Sequence, residues 1–428
     1  MKKKTDFPVQ NKKTHHLLFV EPEMSGHQLS YIQYLCDFYT SQGFKPFLIF
    51  LVHPSFNKVL KKRGKSKEFE FYKKNQIKFI SIEEKEYKKY THSNLFIASL
   101  FRWQITKKYA SKFNIKHIHF LSLDALQFPL ALKLNIFSPY TLSGIIFRLS
   151  IHYKEAYSER SVPMRIKNLR KRILYSGLLL NKKVTQVFSL DPYLVDYSKK
   201  NVVNSEKIRE LPEPGPYHEL NERNKKEKNF ILKAIHKKGR KLFLLFGSLR
   251  KKKGVIQTLK AIDLLEQKYL RKSLFVFAGE IDNKLKEDFE ILIQRIRLEK
   301  EAEIIHFNRF VTEAELLPLI DVSDCVLVPY QKFIGSSNVL LWAAGAQKPV
   351  ITQNYGLLGK WTRENQMGLT TDTASPKNIA EAIKTVIKGN YSVNKESMEK
   401  FASQNTPLKY AETLFNAIIQ KKENKIQR

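Results

Sequence analysis

Residues 241–254, KLFLLFGSLRKKKG, decide how the second half of this chain folds. An apolar run, Leu242 to Phe246, enters a Gly-Ser turn. Arg250, Lys251, Lys252 and Lys253 follow without interruption, and Gly254 closes the loop. A helix-compatible segment, VIQTLKAIDLL, comes next. A buried strand that leaves through a tight basic loop into a helix gathers backbone N–H and ammonium groups at one point, which suits phosphate. Read alone, the same cations also fit a solvated lysine run. Farther along, IGSSNVLLWAAGAQKPVI (residues 334–351) is a second loop–helix junction. Its Gly335, Ser336, Ser337 and Asn338 offer two hydroxyls and free N–H groups to a diphosphate, or a serine N-cap to the helix.

Working outward, KLFLLFGS, SLFVFAG, AEIIHF, CVLVPY and PVITQ are short apolar runs between helical segments, the pattern of a buried parallel sheet. Thr312 and Glu315 form a capping-box signature, Pro376 opens a helix at its first position, and residues from about 397 to 420 read as one last helix. The first half opens as a βαβ unit: strand HLLFVEP, loop EMSGH, a helix from about Gln28 to Ser41 with Gly43 as its C′ residue, and strand PFLIFLV. HIHFLSL, GIIFRLSI and VTQVFSL read as later strands; residues 56–90 carry little signal. LPEPGPY (211–217) holds three prolines and a glycine, which excludes helix and central strand and marks a linker. The expected organisation is α/β: two doubly wound Rossmann-like domains, 1–210 and 218–395, facing across a ligand cleft, with a C-terminal helix and tail at 396–428.

Composition narrows the function. At 428 residues and 43% apolar, two ordinary cores can be buried. Cys36 and Cys325 lie far apart in apolar segments, so neither a disulfide framework nor a metal-ligand spacing is present. No apolar run reaches the ~18–20 residues that cross a bilayer, and the basic start MKKKTDFPVQNKK lacks the apolar stretch of a signal peptide. The expectation is a cytoplasmic protein, peripheral to the inner membrane face if attached at all. The net charge of +34, with its larger excess over residues 1–210, attracts anionic lipid, acidic glycan or nucleic acid. No nucleic-acid motif accompanies it, so a nucleic-acid partner is not expected. Residues 160–183, RSVPMRIKNLRKRILYSGLLLNKK, carry eight Lys/Arg with Met164, Ile166, Leu169, Ile173, Leu174 and Leu178 near helical spacing. They read either as an ordinary surface helix or as a face for an anionic membrane surface.

The second half resembles the C-terminal domain of retaining GT-B glycosyltransferases of the glycosyltransferase-4 type (glycosyl transferases group 1). The family's G-R-x(4)-K-G loop fits GSLRKKKG without a gap, so Lys253 falls on the lysine that contacts the donor diphosphate. Ser248 stands where an arginine is usual, and Arg250 can supply that cation. The family's E-x(7)-E segment fits IGSSNVLLW, but Ile334 and Trp342 occupy the two glutamate positions, which in the family contact the donor sugar and hold the ribose hydroxyls. The resemblance implies transfer of a sugar from a nucleotide-diphosphate sugar to a glycan, polysaccharide precursor or lipid-linked acceptor, with retention. The donor is a substrate and no separate cofactor is implied. Neither is a metal, in keeping with the lack of an Asp-x-Asp motif.

In the first half the resemblance rests on the strand–Gly26–His27–helix opening and on HIHFLSLD. Gly26 lets the backbone approach a ligand, and His27 is a candidate acid/base or donor to the acceptor. His119 matches the first histidine of the family's H-x-H ending, with Leu121 in place of the second; a packed strand histidine is the other reading. Asp124 at the same exit is a candidate base or acceptor ligand, or the N-cap of ALQFPLALKL, and Glu23 is a lesser candidate. Two further functions remain open: a sugar-nucleotide epimerase or hydrolase on the same fold, and a non-catalytic GT-B scaffold that binds membrane, glycan or a partner enzyme.

Overall fold

The computed structural model describes residues 16–24, 28–44, 47–153, 162–216, 235 and 238–419. They divide into two compact units. One comprises the chain up to His152, from residue 162 to Leu211, and from Ala411 onward; the other runs from Pro212 to Tyr410 and includes Tyr153.

In the first unit seven described strands form one parallel sheet: β1 His16–Glu21, β2 Leu48–Val52, β3 Ile77–Ser81, β4 Ile115–Phe120, β5 Thr141–Ile146, β6 Val184–Ser189 and β7 Ile208–Glu210. Their order is β3-β2-β1-β4-β5-β6-β7. The strand order reverses between β1 and β4, the switch point of a doubly wound sheet. Alternation along the strands splits the side chains between two faces. Leu18, Val20, Ile49, Leu51, Ile118 and Phe120 join one core with Trp103, Tyr175, Leu178 and Leu179 of the overlying helices Leu95–Ala110 and Val162–Leu180.

The opposite face carries a row set by register: Phe79, Phe50, Phe19 and His119 are successive partners across β3, β2, β1 and β4. Phe19 and Phe50 meet edge to face at 5.5 Å, and Phe50 stacks on Phe79 at 5.5 Å. The chain's last described helix, Pro407–Ile419, supplies the cover from Ala411 onward. Its Phe415 stacks on Phe19 (5.6 Å), Phe38 (5.7 Å) and Phe44 (5.5 Å). The expected single helix over 397–420 is therefore two, Lys395–Gln404 and Pro407–Ile419. Pro407 lacks the N–H that would continue the first helix, and it opens the second at a position where that N–H is not needed.

The second unit holds β8 Lys241–Phe246, β9 Ser273–Ala278, β10 Ile304–Phe307, β11 Cys325–Val328, β12 Val350–Gln353 and β13 Gly368–Thr371, all parallel, in the order β10-β9-β8-β11-β12-β13. Its switch point lies between β8 and β11. Every residue of β9 and β11 is buried, as strands covered on both faces must be. The capping box at Thr312–Glu315 and the proline start at Pro376 form as the sequence implies. The proline segment over 211–216 is neither helix nor strand; Glu213 and Gly215 donate their N–H groups to the Oδ1 and carbonyl of Asn405.

Phe415 is fully buried among four rings, so Phe415→Ala should cost the first unit about 3–5 kcal/mol. Chemical denaturation of the full chain measures this; a loss below about 1 kcal/mol would mean that the helix is not a structural part of that unit.

Candidate functional site

The parallel pairing of β8 with β11 brings two loop exits of the second unit side by side. The β8 exit turns at Gly247 (φ 93°), forms a single 3₁₀ turn over Lys251–Lys253, and enters the helix Val255–Asp263 through Gly254. Gly254 has φ 71°, and a Cβ there would stand 2.0 Å from the carbonyl oxygen of Pro329. Only glycine permits both that backbone and that approach. The two loops are also joined by the N–H of Gln331, which donates to the carbonyl of Lys252 at 2.8 Å.

Across this junction runs a chain of side chains. The ammonium of Lys253 donates to the hydroxyl of Tyr330 and lies 4.2 Å from the centroid of its ring. The Tyr330 hydroxyl is 2.9 Å from Ser337 Oγ, and Ser337 Oγ accepts from the N–H of Val339. The consistent proton assignment has Lys253 donate to Tyr330 and Tyr330 donate to Ser337, which leaves the Ser337 hydrogen available to a ligand. Ser337 is the N-cap of the helix Asn338–Gly345, so capping and ligand binding fall on one residue. Asn338 occupies the first turn, and its Oδ1 is buried without a hydrogen-bond partner. On the outer side, Arg250 Nε donates to Ser248 Oγ at 3.0 Å, and both residues are exposed.

The structure thus brings Ser248, Arg250, Lys253, Gly335, Ser336, Ser337 and Asn338 to the two adjoining exits. Tyr330 is the residue that sequence reasoning missed. Its signal was its place: a hydroxyl-bearing ring just beyond the last apolar residue of the strand next to the basic loop. Ile334 and Trp342 do no comparable work. The carbonyl of Ile334 accepts from Leu357 N–H, and Trp342 is buried in the helix.

The first unit assembles less. Gly26 and His27 lie outside the described residues. His119 is fully buried in the sheet row, against Phe19 at 4.9 Å, with Nδ1 2.8 Å from Ser143 Oγ. Burial, and then the neighbouring His117, holds its pKa well below the ordinary histidine value. It is a packed strand histidine; an enclosed neutral ring has no route to a reacting group. Asp124 does not cap a helix over ALQFPLALKL either. The helix there is only Gln127–Ala131, and the two Asp124 oxygens accept from the N–H groups of Phe147 (2.9 Å) and Arg148 (3.1 Å). Burial raises its pKa, and those backbone donors work against the rise. Asp124 therefore ties the β4 exit to the β5 exit.

At the β1 exit, Glu23 lines a cavity of about 380 Å³ with His53, Tyr87, Tyr90 and Arg102. Beside it Glu21 is buried, and its Oε1 accepts from Glu23 N–H at 3.0 Å.

Residues 226–406 match the family model of glycosyl transferases group 1, a span that contains both loop exits. Similar solved structures include a glycosyltransferase from Rickettsia africae (14% identity, TM-score 0.65, covering 95% of this chain and 99% of that one). Others are the Anabaena HepE protein in complex with UDP (13%, 0.63, 94% and 99%) and sucrose-phosphate synthase from Thermosynechococcus elongatus (12%, 0.67, 96% and 100%). No curated protein matches the chain in sequence. The fold is α/β with two parallel, doubly wound sheets, that of the GT-B glycosyltransferases.

Burial pushes the Glu21 carboxyl up to about 8, the Glu23 N–H opposes the shift, and the nearby Glu23 carboxylate adds to it. The folded state then keeps a proton that the unfolded chain releases above its ordinary value of 4.5. This contribution is full below pH ~4.5 and is lost as pH rises towards 8. Glu21→Gln should therefore raise stability relative to the parent at pH 8 by a few kcal/mol and flatten the difference below pH ~5. Thermal melts across pH test this; a constant difference between the two proteins would contradict the assignment.

Proposed function

We propose that the protein is a glycosyltransferase: it moves a sugar from a nucleoside-diphosphate sugar to a glycan, a polysaccharide precursor or a lipid-linked acceptor. The observation that carries this reading is the Lys253–Tyr330–Ser337 chain across two loop exits, within the span that matches the glycosyl transferase family model. When the anomeric carbon–oxygen bond breaks, the sugar becomes oxocarbenium-like and the bonding electrons leave with the diphosphate. That leaving charge needs fixed donors. Lys253 supplies an ammonium held by Tyr330, Arg250 a guanidinium at the rim, and Ser337 with the first turn of its helix a hydroxyl and N–H groups.

In this reading the cations and helix start take the place of a divalent metal. The donor is consumed as substrate without a separate cofactor, and the anomeric configuration is retained, as the family resemblance implies. The acceptor belongs to the first unit, near Gly26, His27 and Asp124. Asp124 holds its loop there, and His119 is not among the reacting groups. A lipid-linked acceptor would put the protein at the cytoplasmic face of a membrane. Nucleic acid has no part in this function.

The second reading, a scaffold that binds without turnover, draws on Ile334 and Trp342, neither of which can accept a hydrogen bond from a hydroxyl of the donor. The two separate on Lys253. Lys253→Ala should lower release of nucleoside diphosphate from the preferred nucleotide sugar by about 100-fold or more, with the unfolding midpoint unchanged. Turnover near the parent's would remove Lys253 from the chemistry, and no turnover of any nucleotide sugar by the parent would favour the scaffold.

A further inference from the structure

The helix Val162–Leu180 has two apolar sides. At about 100° per residue, the buried Tyr175, Leu178 and Leu179 mark the side turned to the core. Ile166, Leu169, Ile173 and Leu180 fall within a sector of about 60° on the opposite side. They are 63%, 60%, 60% and 45% exposed. Leu174 and Leu178, which the sequence pattern grouped with these residues, belong instead to the flank and to the core side.

The stripe has a cationic border. Arg165 and Arg172 lie on one flank and Lys167 and Arg170 on the other, all four exposed. No Asp or Glu occurs over residues 160–183 or 127–140. Beside the C-terminal end of the helix lies a turn over residues 132–137. Asn181 fastens this turn by donating to Asn135 Oδ1 (2.6 Å) and to the carbonyl of Leu130 (2.7 Å). Phe137 on the turn is 99% exposed and Leu134 53%. Single exposed apolar residues are ordinary; a stripe opposite the core side of one helix, with a fully exposed phenylalanine on the turn that Asn181 fastens to it, is not.

We propose that this face is a docking surface for a bilayer containing anionic lipid. Ile166, Leu169, Ile173 and Phe137 enter the acyl boundary, and the flanking arginines and lysine stay at the headgroups, the arrangement of a helix that lies in the interface. No described helix is long and apolar enough to cross a membrane, so the contact is peripheral. A second copy of the chain is the poorer occupant, because it would bring two cation-bordered faces together in a chain of net charge +34. The proposal stands on the first unit's own surface and does not rest on sugar transfer.

The test is co-flotation of the full chain with phosphatidylcholine vesicles, with and without about 30% phosphatidylglycerol, at two salt concentrations. Binding to the anionic vesicles alone, weakened by salt, is expected. Ile173→Glu combined with Phe137→Ser, and separately Lys167→Gln with Arg170→Gln, should each weaken it about tenfold or more. Their unfolding midpoints and nucleotide-induced thermal shifts should match the parent's, which separates this surface from the donor site. Absence of vesicle binding, equal binding to neutral vesicles, or binding unchanged by both pairs overturns the proposal. So does self-association that Ile173→Glu abolishes, which would assign the face to a second copy.

Discussion

The contact on which the second unit's site depends is the approach of Gly254 to the carbonyl of Pro329. Parallel strands β8 and β11 must be neighbours for it to occur, and a side chain at residue 254 would force their exits apart. Once the exits touch, Lys253 reaches Tyr330 and Tyr330 reaches Ser337 without further arrangement. The basic loop is then no longer a solvated lysine run. Lys251 and Lys252 stay exposed, whereas Lys253 is half-buried and held against an aromatic face. A sheet that reverses its strand order between β8 and β11 leaves its crevice at this point.

The first unit uses similar topology for a different end. At its switch point the side chains that looked reactive are mostly structural. His119 extends the row of aromatic rings, with Ser143 shared between it and His117, and Asp124 spends both oxygens on backbone donors. Polar side chains at a strand exit in a doubly wound sheet serve first to satisfy the loops that leave it. The same unit carries a helix with apolar residues on opposite sides, one side in the core and the other exposed.

How much of this was legible follows from burial. Interior strands such as LIFLV and SLFVFA, apolar but for Ser273, were found with their ends off by at most two residues, whereas GIIFRLSI missed the start of Thr141–Ile146 by three residues and overran its end by five. The three strands left unread, IKFIS, IRE and GLTT, are all edge strands, half-exposed and mixed in polarity, so neither an apolar run nor strict alternation marks them. Lys253, Arg250 and the serine cap were readable because a loop concentrates their chemistry in sequence. Tyr330 was not, because its role exists only once β11 lies beside β8. Nor could alternation alone tell that Phe19, the neighbour of His119 in the sheet row, packs on Phe415 of the helix Pro407–Ile419, a contact between residues nearly four hundred positions apart.

The central claim is that the two exits in the second unit form a diphosphate site. The most direct measurement is calorimetric titration of the full chain with a nucleoside, its monophosphate and its diphosphate, for each common base. The account predicts that affinity rises with each phosphate for at least one base, with the diphosphate about 100-fold or more tighter than the nucleoside. Equal affinity across the three for every base, or no binding of any diphosphate, would contradict it.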